Sequence, residues 1–323
     1  MTDTTLPRAV AAPAAREITT GLILMAVAMC LLPVGDAFSK YLTGSLHPVT
    51  VSFARLAAQG LCLVPLAVIL RHRLCGAMFS PVIALSGGLV MTTLTSLIWA
   101  FSVMPIATAI AIFFVEPLIL TALVGPLLGE KVGPRRLAAV AVGLVGALIV
   151  IRPGGGPGAA ALLPLLAAVT YALNMIVLRR AARDRSALTV QCGATFYACA
   201  GTGALVLGLV ATGAEDVSVV ALTASHWAAI LAGGAFAATS FVLIAEAFRR
   251  AEAGTLAPFQ YLEIIGATAA GYLVFGEFPD AWTCVGVAII LGSGVYVFWR
   301  ERQPGLREGL APGRRRGRGI RAR

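Results

Sequence analysis

Long apolar runs separated by short polar or basic breaks make up most of this chain, and each is about 20 residues, the length of helix that crosses a bilayer core. Ten such runs are predicted as membrane-spanning helices. The first five are Thr19–Leu42, His47–Leu70, Pro81–Val103, Ile106–Leu127 and Leu137–Ile151. The second five are Ala159–Val177, Leu188–Ala211, His226–Ala247, Gly254–Phe275 and Ala281–Trp299. Polar positions inside the runs are few, and some recur at helical spacing. Thr92, Thr95, Ser96 and Trp99 give the third run one polar-aromatic face, and Tyr171 and Asn174 form a shorter patch on the sixth. Two readings stand for such stripes. They line a central cavity, or they bridge packed helices through side-chain hydrogen bonds at about 0.6 kcal/mol each.

The hydrophobic pattern also repeats at long range. Ala100–Ile151 and Ala247–Phe298 align without a gap at a shift of 147 positions, with 12 identities in 52. Thr108/Thr255, Glu116/Glu263, Gly129/Gly276 and Glu130/Glu277 are among the coincident pairs. Five spans per copy is an odd number, so the second copy enters the membrane from the opposite face. The predicted fold class is therefore all-α integral membrane, with ten transmembrane helices arranged as two inverted five-helix repeats. The expected organisation is an amino-terminal tail (residues 1–18), a first repeat (19–152), a Gly/Pro link (153–158), a second repeat (159–299) and a basic tail (300–323).

Charge supplies orientation. Of the 25 Lys and Arg residues, 22 fall in alternate loops and the tails; only Arg152 lies on the other side, with Lys40 and Arg55 inside spans. By the positive-inside rule both termini are cytoplasmic, which implies a multi-pass protein of the cell (inner) membrane. The loop after Trp99 has no base, whereas its equivalent after Glu246 begins Arg249-Arg250, as inversion requires. Charged residues are only 12% of the chain and mean hydropathy is +0.89, against about 25% charged in soluble domains. The first apolar run exceeds a typical signal-peptide core, and no small-residue cleavage site follows it. The net charge of +10 is explained by the cytoplasmic arginines, with the lipid bilayer as partner. Nucleic acid is not expected, because the Arg-rich tail lacks aromatic residues for stacking. The six cysteines have no metal-type spacing and read as small apolar fillers.

The runs "EPLILTALVGPLLGEKVG" (Glu116–Gly133) and "YLEIIGATAAGYLVFGEFPD" (Tyr261–Asp280), with "GDAFSKYL" (Gly35–Leu42), resemble the EamA-type repeats of the drug/metabolite transporter superfamily. The resemblance covers about residues 19–300. The second-half wording is similar to the branch that carries S-adenosylmethionine and other amino-acid-derived metabolites. It implies a carrier of small metabolites, working in either direction.

Two groups of residues are candidates for the chemistry. Glu116 and Glu263 each lie about ten residues from both ends of a span, hence about 15 Å deep, where a lipid-facing carboxylate costs about 2.5 kcal/mol or more. They are read as a proton-carrying or amine-binding pair. The competing reading is a carboxyl locked to backbone groups where proline breaks a helix, since Pro117 frees the carbonyl of Phe113 and Pro258 precedes Glu263. Phe114 and Tyr261, with Phe113 and Phe259, flank the acids and suit an organic cation; ordinary packing is the alternative. Trp99, Tyr171 and Asn174 complete the expected binding site. Asp36, Lys40 and Arg55 form an outward-side charge cluster, either an external gate or a fixed Asp36–Arg55 pair with Lys40 reaching for the surface. Glu130 and Glu277 are read as helix-end residues.

The function that follows is secondary active transport of a small, amine-bearing metabolite by alternating access around a midplane site, with protons as the candidate coupling ion and no cofactor. A lipid flippase or a structural membrane protein is the alternative. A membrane-embedded enzyme ranks third, because His47, His72 and His226 fall at span ends or in loops and no HExxH or cysteine cluster occurs.

Overall fold

The computed structural model describes residues 15–128, 134–152, 157–181, 184–213, 222–251 and 253–309. Expectations that rest on Gly129, Glu130, the 214–221 loop, most of the Gly/Pro link, and the ends of both tails lie outside the described residues. Twelve α-helices and two short 3-10 turns account for the regular structure, and no strand occurs among the described residues.

The helices are α1 (Ala15–Thr43), α2 (Pro48–Ile69), α3 (Pro81–Val103), α4 (Ile106–Phe113), α5 (Glu116–Leu128) and α6 (Pro134–Ile151). They continue with α7 (Leu162–Ala181), α8 (Ala187–Ala211), α9 (Ala224–Arg250), α10 (Ala253–Gln260), α11 (Leu262–Phe275) and α12 (Ala281–Gly309). Local chemistry fixes several starts. Pro48 and Pro81 open α2 and α3, where a missing N–H costs nothing, and the Ser80 hydroxyl accepts from the Ile83 N–H. Gly276, at φ 69°, ends α11 in the left-handed conformation that glycine adopts without strain.

Seven segments are long and apolar enough to cross a membrane: α1, α2, α3, α4 with α5, α7 with its preceding turn, α8 and α9. Two further apolar helices, Leu137–Ile151 and Ala281–Tyr296, are shorter. The sequence predicts the fourth and ninth spans as single runs, with a bend beside Pro117 and a similar one near Pro258. Each is two half-helices, interrupted between Phe113 and Glu116 and again at Tyr261. Pro117 accounts for the first break, because it cannot donate to the Phe113 carbonyl. The second break falls three residues after Pro258 rather than at it.

Helices pack in matched pairs. The α1–α9 contact is answered by α3–α7, α2–α9 by α3–α8, and α1–α11 by the packing of α4 and α5 on α7; α2–α8 and α6–α12 join like to like. Glycines at shift 147 serve the same purpose in both sets. A Cβ on Gly87 would come within 3.0 Å of the Ala194 carbonyl oxygen of α8, and one on Gly234 within 2.7 Å of the Gln59 nitrogen of α2. Where α1 crosses α9, a Cβ on Gly35 would lie 3.3 Å from the Gly233 carbonyl oxygen. The main core gathers Phe101, Ile106, Ile110, Ile112, Val115, Ile264 and Ile290 around the two broken spans. Large apolar side chains such as Leu61, Ile69, Leu207, Ile265 and Leu273 face outward. A soluble protein would hide them; a bilayer receives them.

Candidate functional site

Both central glutamates sit at the start of a half-helix. Glu116 is the first residue of α5, and Glu263 is the second of α11. Around the first break the backbone tightens, with Val115 N–H donating to Ile112 O at 3.1 Å, before α5 restarts with Leu118 N–H to Val115 O at 3.0 Å. Around the second, Ile264 N–H donates to Tyr261 O at 3.2 Å. A helix amino terminus carries a partial positive charge that suits a carboxylate.

Neither carboxylate is locked in place. Glu116 is 9% exposed, and its Oε1 is buried without a hydrogen-bond partner. Glu263 is half-buried, with no hydrogen bond among the described residues. Neither carboxyl therefore shows a backbone partner among the described residues, and leaving a buried carboxyl unpartnered is costly.

Aromatic rings join the two breaks. Phe114 and Tyr261, which occupy equivalent positions at shift 147, meet with centroids 5.6 Å apart. Phe113 stacks edge-on against Tyr171 at 5.5 Å and against Phe114 at 6.2 Å, so a continuous chain of rings runs from α7 to α11. The Tyr261 hydroxyl lies directly against Gly294 of α12, in space that a Cβ would occupy.

The other expected residues are placed as follows. Asn174 is buried and its Oδ1 accepts from the Ser86 hydroxyl at 2.7 Å; one turn along, Thr93 and Thr170 bond at 2.7 Å. Asn174 therefore helps to zip α3 to α7. Trp99 is 41% exposed and meets the His47 ring edge-on at 5.4 Å, close to the α1–α2 turn. The charge cluster divides in two. Arg55 Nη1 donates to Asp36 Oδ1 at 2.6 Å and reaches Ser39 Oγ at 3.0 Å, all three side chains being buried. Asp36 lies on α1, which packs against α11, the helix that carries Glu263. Lys40 leaves that pair. It bonds both carboxylate oxygens of Glu277 at 2.7 and 2.6 Å and the Met104 carbonyl at 3.1 Å.

Three partners were not visible to sequence reasoning: Ser39, Gly294 and the Lys40–Glu277 contact. Glycine beside a tyrosine hydroxyl has no local signature, and 237 positions separate Lys40 from Glu277.

A bundle of long apolar helices with this outward-facing surface is a multi-pass membrane protein. Comparison with known proteins makes the class specific. The EamA-like transporter family profile matches residues 19–152 and again 158–299, and this chain belongs to that family, within the drug/metabolite transporter superfamily. Its relatives are transporters rather than enzymes. An S-adenosylmethionine uptake transporter of Rickettsia bellii is 28% identical, over 83% of this chain and 89% of its own length. A riboflavin transporter of Rhizobium johnstonii is 29% identical over 62% and 65%, and a pseudopaline exporter of Pseudomonas aeruginosa is 23% identical over 85% and 94%. A solved crystal structure with 16% identity shares the fold at a TM-score of 0.56, covering 92% of this chain and 99% of its own.

Proposed function

We propose that this small-molecule transporter is a secondary carrier of an amine-bearing, amino-acid-derived metabolite, working by alternating access of two inverted five-span repeats. The observation that carries the reading is the pair of unpartnered carboxylates, Glu116 and Glu263, each at the restart of a broken span and each beside an aromatic ring at the equivalent position. A protonated amine gains both from the carboxylate and from the ring faces. Deprotonation of a glutamate on one side of the membrane draws the cation in; protonation on the other side releases it, which makes protons the coupling ion. Matched helix packing supports the repeats, and the double family match agrees with a duplicated unit. The basic loops support an inner-membrane location with both termini cytoplasmic. The name of the S-adenosylmethionine uptake transporter supports a metabolite with amino-acid character.

The test has two stages. Thermal stabilisation of the purified protein across amino acids, nucleoside-type metabolites and organic cations identifies the ligand. Its flux is then measured in vesicles bearing Glu116→Gln or Glu263→Gln. Each substitution is expected to lower flux roughly 100-fold, the scale of a lost proton-transfer group, and to flatten its pH dependence. Unchanged flux and pH dependence in both variants would remove the carboxylate mechanism.

A further inference from the structure

Charge pairs that cross between the two halves collect on one short segment, Gly276–Asp280, which links α11 to α12. Lys40, from α1, reaches it through both oxygens of Glu277. The same ammonium bonds the Met104 carbonyl at the end of α3 and lies 5.3 Å from the centre of the Phe275 ring. Arg152, one residue past α6, pairs with Asp280 at the far end of the segment. Asp280 is held there by Thr283, whose backbone N–H donates to Oδ1 at 2.9 Å. Thr283, by hydroxyl and N–H, together with Arg152, keeps the Asp280 carboxyl below the usual carboxylate range. The segment's own backbone is pinned as well, Glu277 N–H donating to Gly271 O at 3.1 Å.

Two arms from the first half thus grip a segment of the second at two points, Glu277 and Asp280, three residues apart. A cavity of about 120 Å³ is lined by Phe278 and Pro279 of this segment together with Ile264, Thr268, Thr283 and Cys284. Neither central glutamate lines it, but Ile264 follows Glu263 in the chain. At the other end of the bundle the halves meet through hydrogen bonds rather than ion pairs among the described residues: Cys75 N–H to Thr189 Oγ1 at 3.0 Å, Ser186 N–H to Cys75 O at 3.1 Å, and the Arg185 guanidinium Nε to Ala77 O at 3.1 Å. Only the Gly276–Asp280 end is closed, among the described residues, by ion pairs between halves.

We infer that Lys40–Glu277 and Arg152–Asp280 are a two-point latch that closes the outer entrance to the Glu116–Glu263 site, and that both pairs must separate for the site to open outward. The inference rests on the transport reading, since it gives the latch a pathway to close. Lys40, partly buried and with three kinds of partner, is the stronger point; Arg152–Asp280 is more exposed and contributes less.

A cysteine placed at Thr268 reports on the cavity without reference to substrate or flux. The protein, full length and with its six native cysteines replaced, is reconstituted right side out and treated externally with a membrane-impermeant maleimide. With the latch intact, labelling is slow. Lys40→Met or Glu277→Gln is expected to speed it about tenfold, the change that lifts a minor conformer from about 1% to about 10%. Asp280→Asn is expected to speed it about twofold. The reversed pair, Lys40→Glu with Glu277→Lys, is expected to return labelling to within about twofold of the intact latch. Unchanged labelling in both Glu277→Gln and Asp280→Asn would overturn the latch, and so would a folded reversed pair that labels as fast as the single variants. Should Lys40→Met fail to fold, the two neutral carboxylate variants decide the matter alone. Because labelling needs no substrate, a negative result here leaves the role of the glutamates standing, and flux unaffected by Glu116→Gln leaves the latch standing.

Discussion

The fourth and ninth spans solve one problem in two ways. Each interrupts its helix and restarts it at a glutamate, but the agents differ. In the fourth, Pro117 follows the acid directly, the ring beside it is Phe114, and Glu116 is almost fully buried. In the ninth, Pro258 sits three residues ahead of the break, the ring is Tyr261, and Glu263 is more open. The difference extends to the neighbours. Tyr261 carries a hydroxyl that Phe114 lacks, and it rests on Gly294, whose counterpart at shift 147 is Ala147. Likewise Ser86 bonds Asn174, whereas its counterpart Gly233 meets Gly35. The two breaks thus have an acid in common and differ in how their surroundings are packed.

The comparison can be broken most forcefully at the acids. If they act as a unit, Glu116→Gln with Glu263→Gln costs no more flux than the more severe single variant, because non-additivity marks residues that work together. Two independent losses that multiply would separate the halves. Next comes the hydroxyl. Gly294→Ala is expected to lower stability by about 1–3 kcal/mol through overpacking against Tyr261, and Tyr261→Phe in the same chain to recover most of it. Thermal unfolding in detergent measures both, and a Gly294→Ala variant as stable as the parent would show that the ring has room. Smaller again is the α3–α7 seam, where Ser86→Ala is expected to cost roughly 0.6–1.7 kcal/mol, while Gly35→Ala, at the corresponding seam, is unfavourable through close approach of backbone rather than a lost bond. The smallest effect concerns Asp280. Its carboxyl is held below the usual range, so the stability it adds is fully present above the ordinary value of 3.8 and is lost as pH falls through the depressed one. Asp280→Asn should leave stability at pH 7 slightly lowered and flatten its decline in that acid window; an identical acid profile would detach the pair from stability.

Much of this was legible in the sequence, and for identifiable reasons. Apolar length announces a membrane span, and Pro117 next to Glu116 announces a break, since both are local rules written in adjacent residues. Glu116 and Glu263 stood out because an acid in an apolar run has no ordinary purpose. What was not legible depends on how distant segments meet. Asp36, Lys40 and Arg55 look like one cluster along the chain, yet Lys40 turns instead to Glu277 because the α11–α12 segment folds over the end of α1. Asn174 reads equally well as a wall or a fastener until Ser86 is placed opposite. Trp99 shares a face with Thr92 and Thr95, but one turn more carries it to the end of α3 beside His47.

The crossing of α1 and α9 has a mechanical consequence. There, Gly35 and Gly233 bring main chain against main chain, with no side chain of either residue in between. Meshed side chains behave as gear teeth, locking two rods into one register; here the stacked Phe38 and Phe236 rings, 6.0 Å apart, are the teeth and the glycines let the rods close on them. A methyl added at Gly35 would wedge the rods apart, whereas one at Gly233 would find ordinary contact room.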